Sequence, residues 1–140
     1  MKLSRQYETD ETAWLEQMSK LINERRYGEL DYKHLGEFLL DMAKRDRREV
    51  FSRLTALLTH LLKWEHQPRR RSRSWESTIR TQRYDLQDLL ESRTLEHHAL
   101  EMLPKAYARA IKQAATETGL AQQRFPQECP YTLAELLSEE

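Results

Sequence analysis

One stretch of the chain constrains the fold more than any other, because its apolar residues recur at the spacing of an α-helix. It runs from Val50 to Trp64, with leucines in between at Leu54, Leu57, Leu58, Leu61 and Leu62. Spacings of three and four residues keep these side chains on one face, which predicts a helix with one buried side. Such a helix needs other helices to cover that side.

Composition favours the same structural class. In 140 residues there are three glycines and four prolines, and Val50 is the single valine. Because β-branched residues are scarce and helix formers abundant, an all-β fold is excluded. The length suits one ordinary core. We therefore predict an all-α fold, a single-domain helical bundle over residues 1–140 with about five or six helices and a short C-terminal helix.

Helix limits in the N-terminal half follow from capping residues. The first helix is predicted to start after Thr9 or Asp10 and to end at Gly28. Asp31 is the predicted cap of the second helix, whose expected buried face is Leu35, Phe38, Leu39 and Met42. Continued to Gln67, this helix would be about 55 Å long at 1.5 Å per residue. That exceeds the width of a compact domain of this size, so we expect a break near residues 44–46.

In the C-terminal half, Pro68 ends the leucine-rich helix, and Ser72 or Ser74 caps the next one. A further helix is expected to begin near Thr94. Pro104 lacks an amide hydrogen, so it kinks this helix or opens a new one.

The last elements are also marked by local signals. Gly119 suits a left-handed helix end. Thr132 and Glu135 have the spacing of a capping box and open the short terminal helix, in which Leu133, Leu136 and Leu137 are apolar.

Charge and cysteine usage bear on location and partners. Lysine plus arginine number 23 and aspartate plus glutamate also 23, so the chain has no overall attraction to polyanions. No apolar run is long enough to cross a membrane, and the polar start at residues 1–7 does not resemble a secretory signal. The single Cys129 cannot form an internal disulfide. We therefore expect a cytoplasmic protein with no membrane partner.

Several short segments together resemble a known family. They are Tyr7, Asp10 and Trp14 at the start, His60–Trp64 with Arg71–Trp75 in the middle, and Cys129–Leu133 near the end. In this order they resemble the bacterial "domain of unknown function 29" family over nearly the whole chain. The resemblance implies an all-α bundle in bacteria, and it brings no activity, substrate or catalytic residue.

The stretch from Trp64 to Arg83 is the most distinctive candidate surface, with two tryptophans and six arginines against two glutamates. Arginine stacks on indole rings and binds carboxylate or phosphate, and basic residues among aromatics suit single-stranded nucleic acid. The alternative is structural: the tryptophans close the core while the arginines pair with acids. The candidate binding residues are His60, Lys63, Trp64, Arg69, Arg70, Arg71, Arg73, Ser74 and Trp75.

Catalytic chemistry is weakly indicated. A helical nuclease using an arginine and a histidine a few residues apart would fit Arg53 with His60, or Arg93 with His98. In a chain this rich in arginine, chance produces about as many such pairs. His60 would serve as a general acid if it lined a cleft, but its leucine neighbours favour a packed histidine.

Metal and nucleophile chemistry have even less support. His97 and His98 are adjacent, so on a helix their side chains diverge. Cys129 has no neighbouring base. We predict no metal and no cofactor, and favour a non-enzymatic module that binds another protein or a second copy of itself. The alternative is a nucleic-acid-binding or RNA-acting protein that uses the Arg69–Arg73 cluster.

Overall fold

The computed structural model describes residues 2–138, and all regular structure in that range is helical. The α-helices of this range are α1 (Lys2–Thr9), α2 (Glu11–Asn23), α3 (Tyr32–His66), α4 (Arg73–Leu89), α5 (Arg93–Thr118) and α6 (Leu133–Leu137). Short 3₁₀ turns lie at Tyr27–Glu29, Pro68–Arg70 and Gln122–Arg124. The predicted all-α class, with about six helices and a short C-terminal one, is confirmed.

Contacts within the chain divide it at Lys44 into two compact units. The N-terminal unit has a small core of Trp14, Met18 and Leu21. The C-terminal unit has the larger core, built from the leucines of α3 together with Ile79, Leu86, Ala99, Ala106, Tyr107, Ala110, Ala114, Phe125, Leu133 and Leu136. The prediction of one domain over residues 1–140 stays a prediction.

Helix α3 is continuous through residues 44–46, so the predicted break is wrong. The segment contains no glycine or proline, its Lys44 and Arg45 are good helix formers, and water can solvate its charged side chains. Arg53 pairs with Glu49 one turn before it at 2.9 Å, which also supports the helix. The packing of α3 does change at this point, because Lys44 is the last residue of the N-terminal unit.

The N-terminal helices differ from the prediction in two places, before Asp10 and at the end of α2. A separate helix, α1, precedes Asp10 and was not predicted, whereas Asp10 does cap α2 by accepting from the Ala13 amide at 3.2 Å. Helix α2 ends at Asn23, before the predicted Gly28. The left-handed residue there is Arg25, with φ 58°. The Arg26 amide donates to the Leu21 carbonyl at 2.9 Å, which makes a Schellman-type end without glycine.

The C-terminal helices begin and end close to where the sequence indicates, and of the two effects predicted for Pro104 the opening of a new helix does not occur. Ser72 caps α4, Gly119 ends α5 at φ 78°, and Thr132 forms a complete capping box with Glu135. Pro104 lies inside α5 and opens no new helix. Its ring leaves the carbonyl four residues earlier without an amide partner, and that carbonyl belongs to a residue whose side chain is exposed.

Several apolar residues that we expected to be buried are exposed. Leu39 is 61% exposed and Met42 is 38% exposed, while Leu35 and Phe38 pack against the Trp14 cluster. Ile22 and Leu100, apolar residues of α2 and α5, are exposed as well. Periodicity correctly predicts the helices, but which face is covered depends on neighbours distant in the sequence.

Candidate functional site

The predicted binding residues lie around the corner where α3 ends and α4 begins. After His66 the chain makes the Pro68–Arg70 turn, and the Ser72 hydroxyl then accepts from the Trp75 amide at 3.2 Å. This cap fixes the start of α4 and places Trp75 in its first turn. Trp64 and Trp75 are both half-buried.

Lys63 is a packing residue with two partners. It is 7% exposed, and its Nζ lies 2.9 Å from Glu117 and 4.8 Å from the centre of the Trp75 ring. These contacts join α3, α4 and α5. A lysine held this way is desolvated and paired, so it has little capacity left for an external ligand.

Arg71 is held on the other tryptophan. Its Nε donates to the Trp64 carbonyl at 2.8 Å, and its guanidinium carbon lies 4.7 Å from the centre of the Trp64 ring. That carbonyl belongs to the last turn of α3, where backbone acceptors lack helical partners. Arg71 therefore stabilises the end of α3, which supports the structural alternative for this residue.

Four further members of the predicted set are exposed. Arg69 and Arg70 lie in the 3₁₀ turn, and Arg73 and Ser74 in the first turn of α4. Between Lys2 and Ser138, the ion pairs include none of these three arginines. The expected neutralisation by acids therefore does not occur here.

A groove between α3 and α4, which we call the α3–α4 groove, has a volume of about 580 Å³. Its walls combine apolar, aromatic and charged side chains: Leu61, Trp64, Glu65, Glu76, Ile79, Arg80, Arg83 and Tyr84. Arg80 pairs with Glu76 at 3.2 Å across one helical turn. Tyr84 is 45% exposed on this surface.

Arg83 is positioned in this groove by the C-terminal helix. Its Nε donates to the Leu136 carbonyl at 2.8 Å, and Gln87 donates similarly to the Leu137 carbonyl at 2.6 Å. Both bonds satisfy acceptors at the end of α6. Among the described residues no acid pairs with Arg83, so its terminal nitrogens have no ionic partner in the groove.

Glu65 connects the groove to the segment that precedes α6. Burial raises the pKa of the Tyr131 hydroxyl, and the nearby Glu65 carboxylate raises it further. Burial, with Cys129 and Glu65 nearby, also raises the pKa of Tyr107 to about 12. Tyr107 donates to the Pro126 carbonyl at 2.5 Å. Both phenols stay protonated near neutral pH. Tyr107 acts as a hydrogen-bond donor, whereas the buried Tyr131 hydroxyl has no hydrogen-bond partner among the described residues and serves in packing.

A second groove, the α3–α5 groove, has a volume of about 270 Å³. It is lined by Phe51, Ser52, Thr55, Ala56, Thr59 and His60 of α3 and by Arg109 and Gln113 of α5. His60 Nδ1 lies 2.9 Å from the Ala56 carbonyl. Sequence reasoning missed Arg109 and Tyr84, and it included Arg83 in the candidate stretch but not among the binding residues. Two long stretches without acids, residues 50–64 and 102–116, were the signal that could have drawn attention to Arg109.

The predicted set does not converge on one cleft. His60 lines the α3–α5 groove, Trp64 lines the α3–α4 groove, and Lys63 and Arg71 are engaged in packing. Arg53, the suggested nuclease partner of His60, pairs with Asp85 at 2.6 Å.

The other candidates for chemistry are also placed apart. His98 lies 3.4 Å from Arg47, and burial raises the pKa of the Cys129 thiol. Among the side chains between Leu3 and Ser138, no three histidine, cysteine or acidic residues are grouped to hold a metal ion. Over the same range, no helix combines the length and apolarity needed to cross a membrane.

Fold and site together define an all-α protein whose surface carries open grooves, the α3–α4 and α3–α5 grooves among them. Its most distinctive side chains mainly cap helices or pack between them. The sequence model of the family described as "Domain of unknown function DUF29" matches residues 6–140. The chain therefore belongs to this family, and the resemblance seen in its sequence is confirmed. No protein of curated function and no solved structure matches the chain.

Proposed function

We propose that this protein is a non-enzymatic interaction module whose α3–α4 groove binds a segment of another protein. The observation that carries the proposal is Arg83, which Leu136 holds in an open groove beside Trp64 and Tyr84 and which has no ion pair with an acid of residues 3–138. Tryptophan, tyrosine and arginine dominate binding energy at protein interfaces. The proposed site of action is the bacterial cytoplasm.

The chemistry of the groove also indicates the kind of segment. Leu61 and Ile79 offer an apolar floor, and the volume of about 580 Å³ lies within the usual range of ligand sites. Arg83 can receive a carboxylate through two parallel hydrogen bonds. The preferred segment therefore carries an apolar side chain next to an acidic group.

The first prediction compares variants of two residues that line the α3–α4 groove. They are tested by affinity capture from bacterial lysate, followed by binding measurements with the captured protein. Tyr84→Ser and Arg83→Gln should each weaken binding at least about tenfold, since hot-spot residues contribute 2 kcal/mol or more. Arg93→Gln is the matched control, because Arg93 is an exposed arginine on α5 outside the groove.

Equal binding by wild type, Tyr84→Ser and Arg83→Gln would contradict the proposal. Arg83 also donates a hydrogen bond to the end of α6. If Arg83→Gln alters the fold for that reason, the result with Tyr84→Ser tests the proposal. Light scattering tests whether the partner is a second copy: a doubled mass that Tyr84→Ser abolishes would identify self-association through this groove.

The exposed arginines favour a second candidate function, binding of single-stranded RNA at the corner between α3 and α4. Arg69, Arg70 and Arg73 project three guanidinium groups from one short segment, and no ion pair of the described residues engages them. Unpaired arginines near a tryptophan suit phosphate contacts and base stacking.

The second prediction concerns the salt dependence of RNA binding. If these arginines contact three phosphates, replacing all three with glutamine should reduce the slope of log K against log salt by about 2, at ~0.7 per phosphate of a single strand. Fluorescence anisotropy with labelled RNA measures the slope. Substitution of Arg25, Arg93 and Arg124 is the control of equal charge. No binding at low salt would exclude this candidate.

A further inference from the structure

Charge is distributed unevenly around the α3–α5 groove. The facing stretches 50–64 and 102–116 contain no acidic residue, although acids and bases balance at 23 each in the whole chain. Arg53 and Lys63 in the first stretch are each paired with an acid from another helix. The groove itself is lined by one arginine, one histidine and no carboxylate. Its electrostatics therefore favour an anion.

Arg109 is the main charge of this groove and has no ionic partner among the described residues. Its guanidinium carbon lies 5.0 Å from the centre of the Phe51 ring. Stacking occupies the face of the guanidinium and leaves the N–H groups at its edge free for hydrogen bonds. Lys105 and Lys112 lie on the same side of α5 at helical spacing, and both are exposed.

The remaining polar groups of the groove divide into occupied and available donors. Thr55 and Thr59 donate their hydroxyls to backbone carbonyls of α3 at 2.9 and 2.7 Å. The His60 Nδ1 must carry its proton to bond the Ala56 carbonyl, which leaves Nε2 for another partner. Donors for a ligand are therefore Arg109, Gln113 and Ser52. Nε2 of His60 can accept from a protonated phosphate or, when charged, donate to it.

We propose that the α3–α5 groove binds a small phosphate-bearing molecule. Arg109 donates hydrogen bonds to the phosphate from the N–H groups at the edge of its guanidinium, and His60 forms a further hydrogen bond. The volume of about 270 Å³ is at the lower end for ligand sites and suits a compact polyanion of pyrophosphate size. The site is separate from the α3–α4 groove, because no residue lines both. It therefore stands independently of the proposed function.

The third prediction uses the full chain labelled with ¹⁵N and titrated with sodium pyrophosphate at constant ionic strength. Amide signals of Thr59, His60 and Gln113 should shift and saturate at millimolar ligand. Arg109→Gln should weaken binding about tenfold, the effect of losing one charge-assisted hydrogen bond. His60→Asn keeps a donor near the Ala56 carbonyl but removes Nε2, so it should also weaken binding.

Arg93→Gln removes the same charge from the same helix outside the groove and should leave the affinity unchanged. The amide shifts could fail to saturate with pyrophosphate, or Arg109→Gln and Arg93→Gln could weaken pyrophosphate binding equally. Either result would show only a general attraction of anions and would overturn the proposal. Saturation by single-stranded RNA without any response to pyrophosphate would also overturn it. Unchanged amide spectra of the variants away from the groove establish that they fold.

Discussion

Asp31 links two aromatic residues of the N-terminal unit, Trp14 and His34. Its carboxylate accepts from Trp14 Nε1 at 3.1 Å, contacts His34 Nδ1 at 2.8 Å and accepts from the His34 amide at 3.4 Å. Tyr7 stacks on His34 at 4.5 Å and meets the edge of Trp14 at 4.7 Å. One side chain thus caps α3 and also satisfies a buried indole.

Asp31 should make stability depend on pH. Burial raises the pKa of its carboxyl, but hydrogen bonds from His34 and Trp14 outweigh this effect and leave the pKa below its ordinary value. Since the folded pKa is lowered, the stabilisation is complete above the unfolded pKa of about 3.9 and is lost as pH falls through the folded pKa.

The fourth prediction is that Asp31→Ala destabilises the N-terminal unit by about 2–4 kcal/mol near neutral pH, because the helix loses a cap and a buried indole loses its acceptor. The difference from wild type should shrink as pH falls below the unfolded pKa and through the lowered folded pKa of this carboxyl. Urea unfolding, monitored by NMR on the Trp14 indole N–H, measures this loss of unfolding free energy. Asp10→Ala removes an exposed cap and should have the smaller effect of about 1 kcal/mol. Equal losses would contradict this role of Asp31.

At the level of elements, the distinctive sequence motifs stabilise helix ends and helix pairs. Tyr7 packs on Trp14, Asp10 caps α2, and Arg71 binds the last turn of α3. Near the C-terminus, the Cys129 thiol contacts the Tyr131 carbonyl at 3.4 Å, just before the capping box of α6. The residues by which the family resemblance was noticed are therefore largely structural, which explains why they suggest no reaction.

The fifth prediction tests the backbone of two elements. Gly36 lies inside α3, and a Cβ there would meet nothing within 4 Å, so Gly36→Ala should stabilise the protein by about 1 kcal/mol. Gly119→Ala is the matched control. Its φ of 78° strains any other residue, so it should destabilise by about 1 kcal/mol. Urea unfolding followed by circular dichroism measures both changes. A destabilising Gly36→Ala would contradict the structure of α3.

At the level of the whole molecule, the net charge is zero, although the surfaces around Arg69 and around Arg109 are locally basic. We expected each basic patch to have acids nearby, and Arg53 and Lys63 do. Arg69 and Arg109 take part in no ion pair of the described residues. Electrostatic attraction at each surface therefore depends on its local field, which salt screens over about 10 Å at ordinary ionic strength.

Much of the fold was accessible from the sequence because helix periodicity and capping act over only a few residues. Ser72, Gly119 and the Thr132–Glu135 box were predicted correctly for that reason. The end of α2 was missed because Arg25, not the nearby glycine, takes the left-handed conformation. The break in α3 was wrongly predicted because an argument from domain width assumed that the whole helix packs within one unit.

The sequence by itself determined the helical class, most helix ends and the family. Only the tertiary structure decided which arginines are free, which apolar faces are covered and where the grooves lie. The physical reason is distance along the chain: Arg83 meets Leu136 across 53 residues and Lys63 meets Glu117 across 54. Pairing and burial arise from such contacts, which local patterns do not encode.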